Sequence, residues 1–296
     1  MTLTKRGLVA LDLSTLDDRL LSYSKLFARL LALDKLTFIH VIPTINLTET
    51  TTDLPSAIAP LEMKISQRVE TQIRKKLDQQ FSDKEKELEL NVKILEGSPY
   101  QSIIEWTKTN DLDLLITGRK KKSEGSGITA RRIAQRTECN VLFVPENAVD
   151  IPSKVLVPID FSAHSARALQ TALNLKYVIP SLEIVAVNVI EMLSKEYYLG
   201  VAHTPVYRDQ LLAKNHEAYD SFLKEHQIKK EDIRIFFLEN AENNTANQLY
   251  HYTKDQGYNL VIMGASGHSV FENFLYGSIT ERLVDLCCDI PVFVVR

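Results

Sequence analysis

Two short glycine-bearing bends near the C-terminus carry the strongest chemical signal in the chain. Gly264-Ala-Ser-Gly267 follows the apolar run Leu260 to Met263; nine residues, His268 to Tyr276, then lead to Gly277-Ser278-Ile279-Thr280, which opens a segment of helical period. Glycines at 264 and 267 permit positive φ and close backbone approach, so a strand-end loop can turn its N–H groups toward an anion. A helix beginning at Gly277 and Ser278 offers unpaired N–H groups and the positive end of its dipole to the same anion. The hydroxyls of Ser278 and Thr280 are expected to add hydrogen bonds, with Ile279 between them, and His268 is placed to approach a phosphate. Asp160, at the end of the apolar run Val157-Pro158-Ile159, is expected to face the same crevice. The chemistry that suits this arrangement is capture of a triphosphate.

Each feature has a plainer explanation to set beside that one. A glycine pair after a strand is often only a turn, and Asp160 alone would serve to cap the helix that follows. Gly125-Ser-Gly127-Ile-Thr-Ala130 imitates a dinucleotide fingerprint, and Glu146 stands about 20 residues later, but the stretch follows Lys121-Lys122-Ser123-Glu124 instead of the first strand of a unit. The basic run Arg119 to Lys122, with Arg131 and Arg132, lacks interleaved aromatics and reads as a solvated loop, so no nucleic-acid partner is expected. Cys287 and Cys288 are adjacent on an apolar helix side and read as core; the seven histidines show no chelating spacing, so no metal site is expected. Without a P-loop, a Gly-x-Ser-x-Gly elbow or an evident acid-base pair of carboxylates, no catalytic residue is assigned.

The elements that must hold these residues occur twice. Lys5 to Ser14 (KRGLVALDLS) matches Ser153 to Ser162 (SKVLVPIDFS), each an apolar run ending in Asp-x-Ser. FIHV at Phe38 to Val41 falls on AVNV at Ala186 to Val189, DLLITG at Asp113 to Gly118 on NLVIMG at Asn259 to Gly264, and VLFV at Val141 to Val144 on VFVV at Val292 to Val295. Preserved order implies a duplication, with domains at 1–147 and 152–296. Strands are expected at Leu8 to Asp12, Thr37 to Ile42, Leu90 to Leu95, Leu112 to Thr117 and Val141 to Val144, with counterparts in the second half. Between them run helical segments such as Leu20 to Leu33, Leu61 to Phe81, Ser165 to Tyr177, Tyr207 to His226 and Ile279 to Cys287. Asn46 to Pro60 and Ser194 to Pro205 read as loops. This alternation defines an α/β class with a doubly wound parallel sheet in each half, whose last strand lies at an edge that needs protection.

The 296 residues accommodate two domains of ordinary size, and 45% hydrophobic with 25% charged composition is that of a folded globular chain. A net charge of -3 supplies no global positive field. No run reaches the roughly 18 to 20 apolar residues of a membrane span, and the N-terminus lacks a secretory pattern. Three cysteines cannot form a disulfide framework, so a cytoplasmic location is expected.

Gly-x-x-Gly, nine residues, then Gly-Ser resembles the ATP-binding motif of the universal stress protein family, here Gly264, Gly267, Gly277 and Ser278. The resemblance extends to Val157-Pro158-Ile159-Asp160, where the family's Asp lies by adenine and ribose, and to Val189 on the second strand. It implies a tandem, Rossmann-like member that binds ATP, with Mg²⁺ on its phosphates, in the C-terminal half and acts as a stress-response or signalling module. It further implies pairing through the last strands, so that the halves form an intrachain pseudo-dimer; a homodimer and unknown protein partners stay open. In the first half Gly118 is followed by Arg119-Lys120-Lys121-Lys122, and Ala10 replaces the proline, so the degenerate motif is not expected to hold ATP in the same way. Two other functions remain: a slow ATP hydrolase or nucleotidyl-transfer enzyme on the same site, and a scaffold for a non-nucleotide, apolar ligand.

Overall fold

Short β-branched runs become strands buried on both faces, and the amphipathic stretches between them become the crossovers that parallel pairing demands. The computed structural model describes residues 4–43, 54–81, 87–120, 132–191, 205–240, 244–267 and 276–296. Contacts divide the chain into Met1–Glu146 and Asn147–Arg296.

In the first unit β1 (Arg6–Leu11), β2 (Lys35–Ile42), β3 (Glu89–Glu96), β4 (Leu114–Arg119) and β5 (Asn140–Pro145) lie in the order β3-β2-β1-β4-β5. Every pairing within it is parallel. Helices α1 (Leu16–Leu31), α2 (Leu54–Gln80) and α3 (Pro99–Thr109) connect the strands. The second unit repeats the plan with β6 (Lys154–Pro158), β7 (Glu183–Glu191), β8 (Arg234–Asn240), β9 (Leu260–Gly264) and β10 (Val292–Val295), ordered β8-β7-β6-β9-β10 and again parallel. Its helices are α4 (Ala163–Val178), α5 (Pro205–Glu225), α6 (Thr245–Asp255) and α7 (Ser278–Leu286). The expected class, two doubly wound parallel-sheet domains, is the one observed.

Core positions follow the apolar runs: Leu8, Val9, Leu115 and Ile116 in one unit, Val155, Leu156, Val261 and Ile262 in the other, are completely buried. Element ends depart further from expectation. Helix α1 begins at Leu16, four residues ahead of the expected Leu20, with Asp17 and Asp18 in a first turn where acidic side chains suit the dipole. Helix α2 likewise begins at Leu54, ahead of Leu61, and β4 starts at Leu114 instead of Leu112. Gly125 to Ala130, Lys121, Lys122 and His268 lie outside the described residues.

The order of strands reverses direction of growth between β1 and β4, and between β6 and β9, so each unit has a crevice at the carboxyl ends of those strands. There the chain makes the same bend twice. Leu13, at φ 62°, and Phe161, at φ 65°, take the left-handed conformation that side chains disfavour. In each bend the preceding aspartate holds the following serine: Asp12 Oδ1 accepts from the Ser14 amide at 3.1 Å and its hydroxyl at 2.5 Å, and Asp160 Oδ1 from the Ser162 amide at 3.1 Å and its hydroxyl at 2.6 Å.

Candidate functional site

The crevice of the second unit opens because one ladder ends early. Between β6 and β9 the paired residues are Val155 with Leu260 and Leu156 with Val261, whereas β1 and β4 stay paired from Gly7 with Leu114 to Ala10 with Thr117. Pro158 stands where Ala10 stands, and proline has no N–H with which to continue a ladder. Beyond that point lies a cleft of about 480 Å³, within the range of small-molecule sites.

Nine of the ten residues expected at a ligand line this cleft: Pro158, Asp160, Val189, Gly264, Gly267, Gly277, Ser278, Ile279 and Thr280. The tenth, His268, lies outside the described residues. Convergence from three strand ends and one helix start is what the topology enforces.

The reasons for several of these residues differ from the sequence expectation. Neither Gly264 nor Gly267 has positive φ; the glycines in that region are Gly97 and Gly257. Gly264 is needed for packing, since a Cβ there would lie 2.8 Å from the backbone carbonyl carbon of His164 at the start of α4. Gly118 stands in the corresponding place against Leu16 at the start of α1. A Cβ on Gly267 would collide with Oδ2 of Asp160, so this glycine lets the carboxylate reach the loop. The Thr280 hydroxyl, expected on a phosphate, donates instead to the Gly264 carbonyl at 3.0 Å and ties α7 to the end of β9. Its side chain is buried and its only proton is committed, so its contribution to an anion is positional.

The helix starts also differ. Ser162 caps α4 by accepting from the Ser165 amide, whereas Gly277 gives α7 no side-chain cap. The Gly277 amide itself donates to the Ala265 carbonyl at 2.8 Å, which leaves the first-turn amides of Ser278, Ile279 and Thr280 as the donors an α-helix start leaves without intrahelical acceptors. Thus the donors left without intrahelical acceptors are at the helix start, and one glycine amide is spent on holding the two bends together.

Sequence reasoning missed Asn188, Ser165, Ser266, Thr245 and Leu249, which also line the cleft. Asn188 donates to the Ile159 carbonyl at 2.9 Å and fixes β7 against the strand end of β6. Thr245 and Leu249 come from α6, and Leu249 with Val187 and Val189 gives one wall an apolar surface. Near the mouth the Ser266 hydroxyl lies 3.3 Å from His164 Nε2. Burial lowers the His164 pKa, the Arg167 charge lowers it further and Asp160 opposes both, with the net direction downward. Asn188, beside Val189, and Ser266, beside Gly267, had neighbours that signalled them.

In the first unit the corresponding mouth is occupied by charge. Lys120 Nζ lies 2.7 Å from Asp12 Oδ2. Burial works to raise the Asp12 pKa, but Lys120 and Ser14 outweigh it and leave the carboxyl below its ordinary value. Asp17, completely enclosed where the second unit has Ser165, is pushed up to about 6, chiefly by burial.

The sequence profile of the universal stress protein family matches residues 4–145 and again 152–296. The chain belongs to the universal stress protein family. Universal stress protein YxiE of Bacillus subtilis is 26% identical over 163 residues, which span 49% of this chain and 99% of that relative. A universal stress protein from Archaeoglobus fulgidus shares the fold at TM-score 0.64 and 18% identity, with 99% of each chain covered. A functionally unknown protein from Pseudomonas aeruginosa shares it at TM-score 0.59 and 14% identity, over 99% of this chain and 92% of its own. The universal stress fold is therefore present twice. No helix among the described residues is long and apolar enough to cross a membrane, and none of their His, Cys, Asp and Glu side chains form a metal-binding cluster.

Proposed function

We propose that the C-terminal unit binds ATP and that occupancy of this site makes the protein a stress-response or signalling module in the cytoplasm. The observation that carries the reading is the uncapped start of α7, which opens onto the same cleft as Asp160 and the apolar wall of β7 and α6. The phosphates would meet the Ser278, Ile279 and Thr280 amides and the Ser278 hydroxyl, where free donors and the helix dipole favour negative charge. Adenine and ribose would lie between Val189, Leu249 and Asp160. Mg²⁺ would travel on the phosphates, because the described residues supply no cluster of metal ligands.

Binding is the proposed role, without turnover. Asp160 Oδ1 already accepts from the Ser162 amide and hydroxyl, which fixes the carboxylate where it can accept from a ligand hydroxyl. In the N-terminal unit the Lys120–Asp12 pair and the longer β1–β4 ladder oppose ATP binding of the same kind. Mass spectrometry of ligand released from the purified protein tests the reading: an adenine nucleotide at one per chain supports it. Calorimetry with ATP then follows, and saturation at a hundredfold above Kd adds about 2.7 kcal/mol of stability. Multiple-turnover phosphate release abolished by Asp160→Ala would replace binding with hydrolysis.

A second reading is favoured by the exposure of Ile279, 42%, beside the apolar wall. On it the cleft takes a non-nucleotide apolar ligand and the glycines serve packing alone. Recovery of such a ligand in place of nucleotide decides for it.

A further inference from the structure

The N-terminal unit carries a second cleft, of about 550 Å³, at the opposite ends of its strands. Pairing register builds its floor. Arg6, Lys35 and Glu89, the first residues of β1, β2 and β3, stand in one row, and Thr37 with Asn91 forms the next. Lys93, two residues beyond Asn91, shares the face, since alternate residues of a strand point the same way. Trp106 of α3 lines the cleft, and its indole N–H is buried without a hydrogen-bond partner.

The second unit treats the same positions differently. Glu183 stands at the place of Lys35 and balances Lys154 at 3.9 Å and Arg234 at 3.3 Å. Phe236, Tyr252 and Tyr258 stand where the first unit has Lys93, Trp106 and Leu112, and their rings contact in series, at 5.5 and 5.8 Å between centroids. There each cation has a carboxylate partner in Glu183, and the face is covered by its own aromatics. In the first unit Lys35 meets Glu89 at 3.1 Å, but Arg6 and Lys93 make no ion pair among the described residues. Three cations and one carboxylate therefore line a cleft walled on one side by the Trp106 ring.

We propose that this cleft binds a small organic dianion, a carboxylate or phosphate ester whose apolar body packs on Trp106 while its charges meet Arg6 and Lys93. The excess of cations over carboxylates is charge that an anionic ligand meets through charge-assisted hydrogen bonds, with the Trp106 ring as its apolar wall. The inference concerns the N-terminal unit and is independent of the ATP reading.

Trp106 is the only tryptophan of the chain, so fluorescence excited at the red edge, beyond tyrosine absorption, reports on this cleft. Titration with phthalate, an aromatic dicarboxylate, in phosphate-free buffer is expected to give a saturable change matched by calorimetry, with inorganic phosphate binding more weakly for want of an apolar body. Lys93→Glu, at an exposed position, is expected to weaken phthalate at least about tenfold, and Arg6→Gln by a similar factor, whereas Asp160→Ala leaves it unchanged. No saturable change up to about 10 mM of either probe, or an undiminished response in Lys93→Glu whose circular dichroism matches the parent, overturns the proposal.

Discussion

The two units share strand order, the left-handed bend and the aspartate-serine clasp, yet among the described residues the crevice of the second holds a cleft beside an uncapped helix start, whereas the mouth of the first holds an ion pair. The difference rests on three exchanges. Proline in place of Ala10 stops a ladder, Ser266 in place of Lys120 removes an ion pair from the mouth, and Ser165 in place of Asp17 removes a buried acid. A fold of this kind supplies the crevice by topology alone; whether the crevice accepts an anion is decided by a few residues at strand ends.

The most severe way to break the contrast is Gly267→Lys, which imitates Lys121 of the first unit. Its Cβ meets the Asp160 carboxylate, so ATP affinity is expected to fall about 100-fold, or about 2.8 kcal/mol, in calorimetry. Retained affinity would end the nucleotide reading.

Gly264→Ala tests the packing role assigned to the first glycine. The new methyl meets the backbone of α4, and overpacking of this kind costs about 2 kcal/mol. Denaturant unfolding should show the loss in the absence of nucleotide, which a glycine kept only for ligand approach would not produce.

Asp17→Ser makes the first unit resemble the second. The folded pKa of about 6 lies above the ordinary 3.8, so the native state holds this proton more tightly. Its contribution to stability is therefore full below about pH 4, declines as pH rises to 6 and is lost above that. The substitution should raise stability at pH 7 by about 1 to 2 kcal/mol and flatten the pH dependence between 4 and 6, as followed by denaturant titration.

Lys120→Ala is the mildest test. The pair with the half-exposed Asp12 is worth about 0.5 kcal/mol, and that stability is present above the ordinary aspartate range and lost on acidification. No second equivalent of ATP should bind to this variant, because the β1–β4 ladder still laces the crevice; a second equivalent would show that the ion pair alone closed it.

Legibility followed physical range. Strand cores such as Leu115–Ile116 were readable because burial on both faces demands unbroken apolar runs. Helix starts were less so, since the first turn of α1 places an acid, Asp17, on its buried side and so breaks the apolar period. The glycine spacing picked out residues that line one cleft, but not why Gly264 is glycine, because the clash partner, His164, lies a hundred residues away in sequence. The same holds for Thr280, whose partner is a carbonyl, and for Asn188, Thr245 and Leu249, which reach the cleft through tertiary register. The Trp106 cleft needs rows read across three strands, and no linear pattern shows them.

The bend at Phe161 has one more implication. A non-glycine residue held at φ 65° stores backbone strain of about 1–2 kcal/mol, and its ring, 5.7 Å from that of Phe222 of α5, anchors it there. The carboxylate next to it is thereby aimed by a sprung main chain before any guest arrives, so the entropic toll of orienting it falls on folding and not on association.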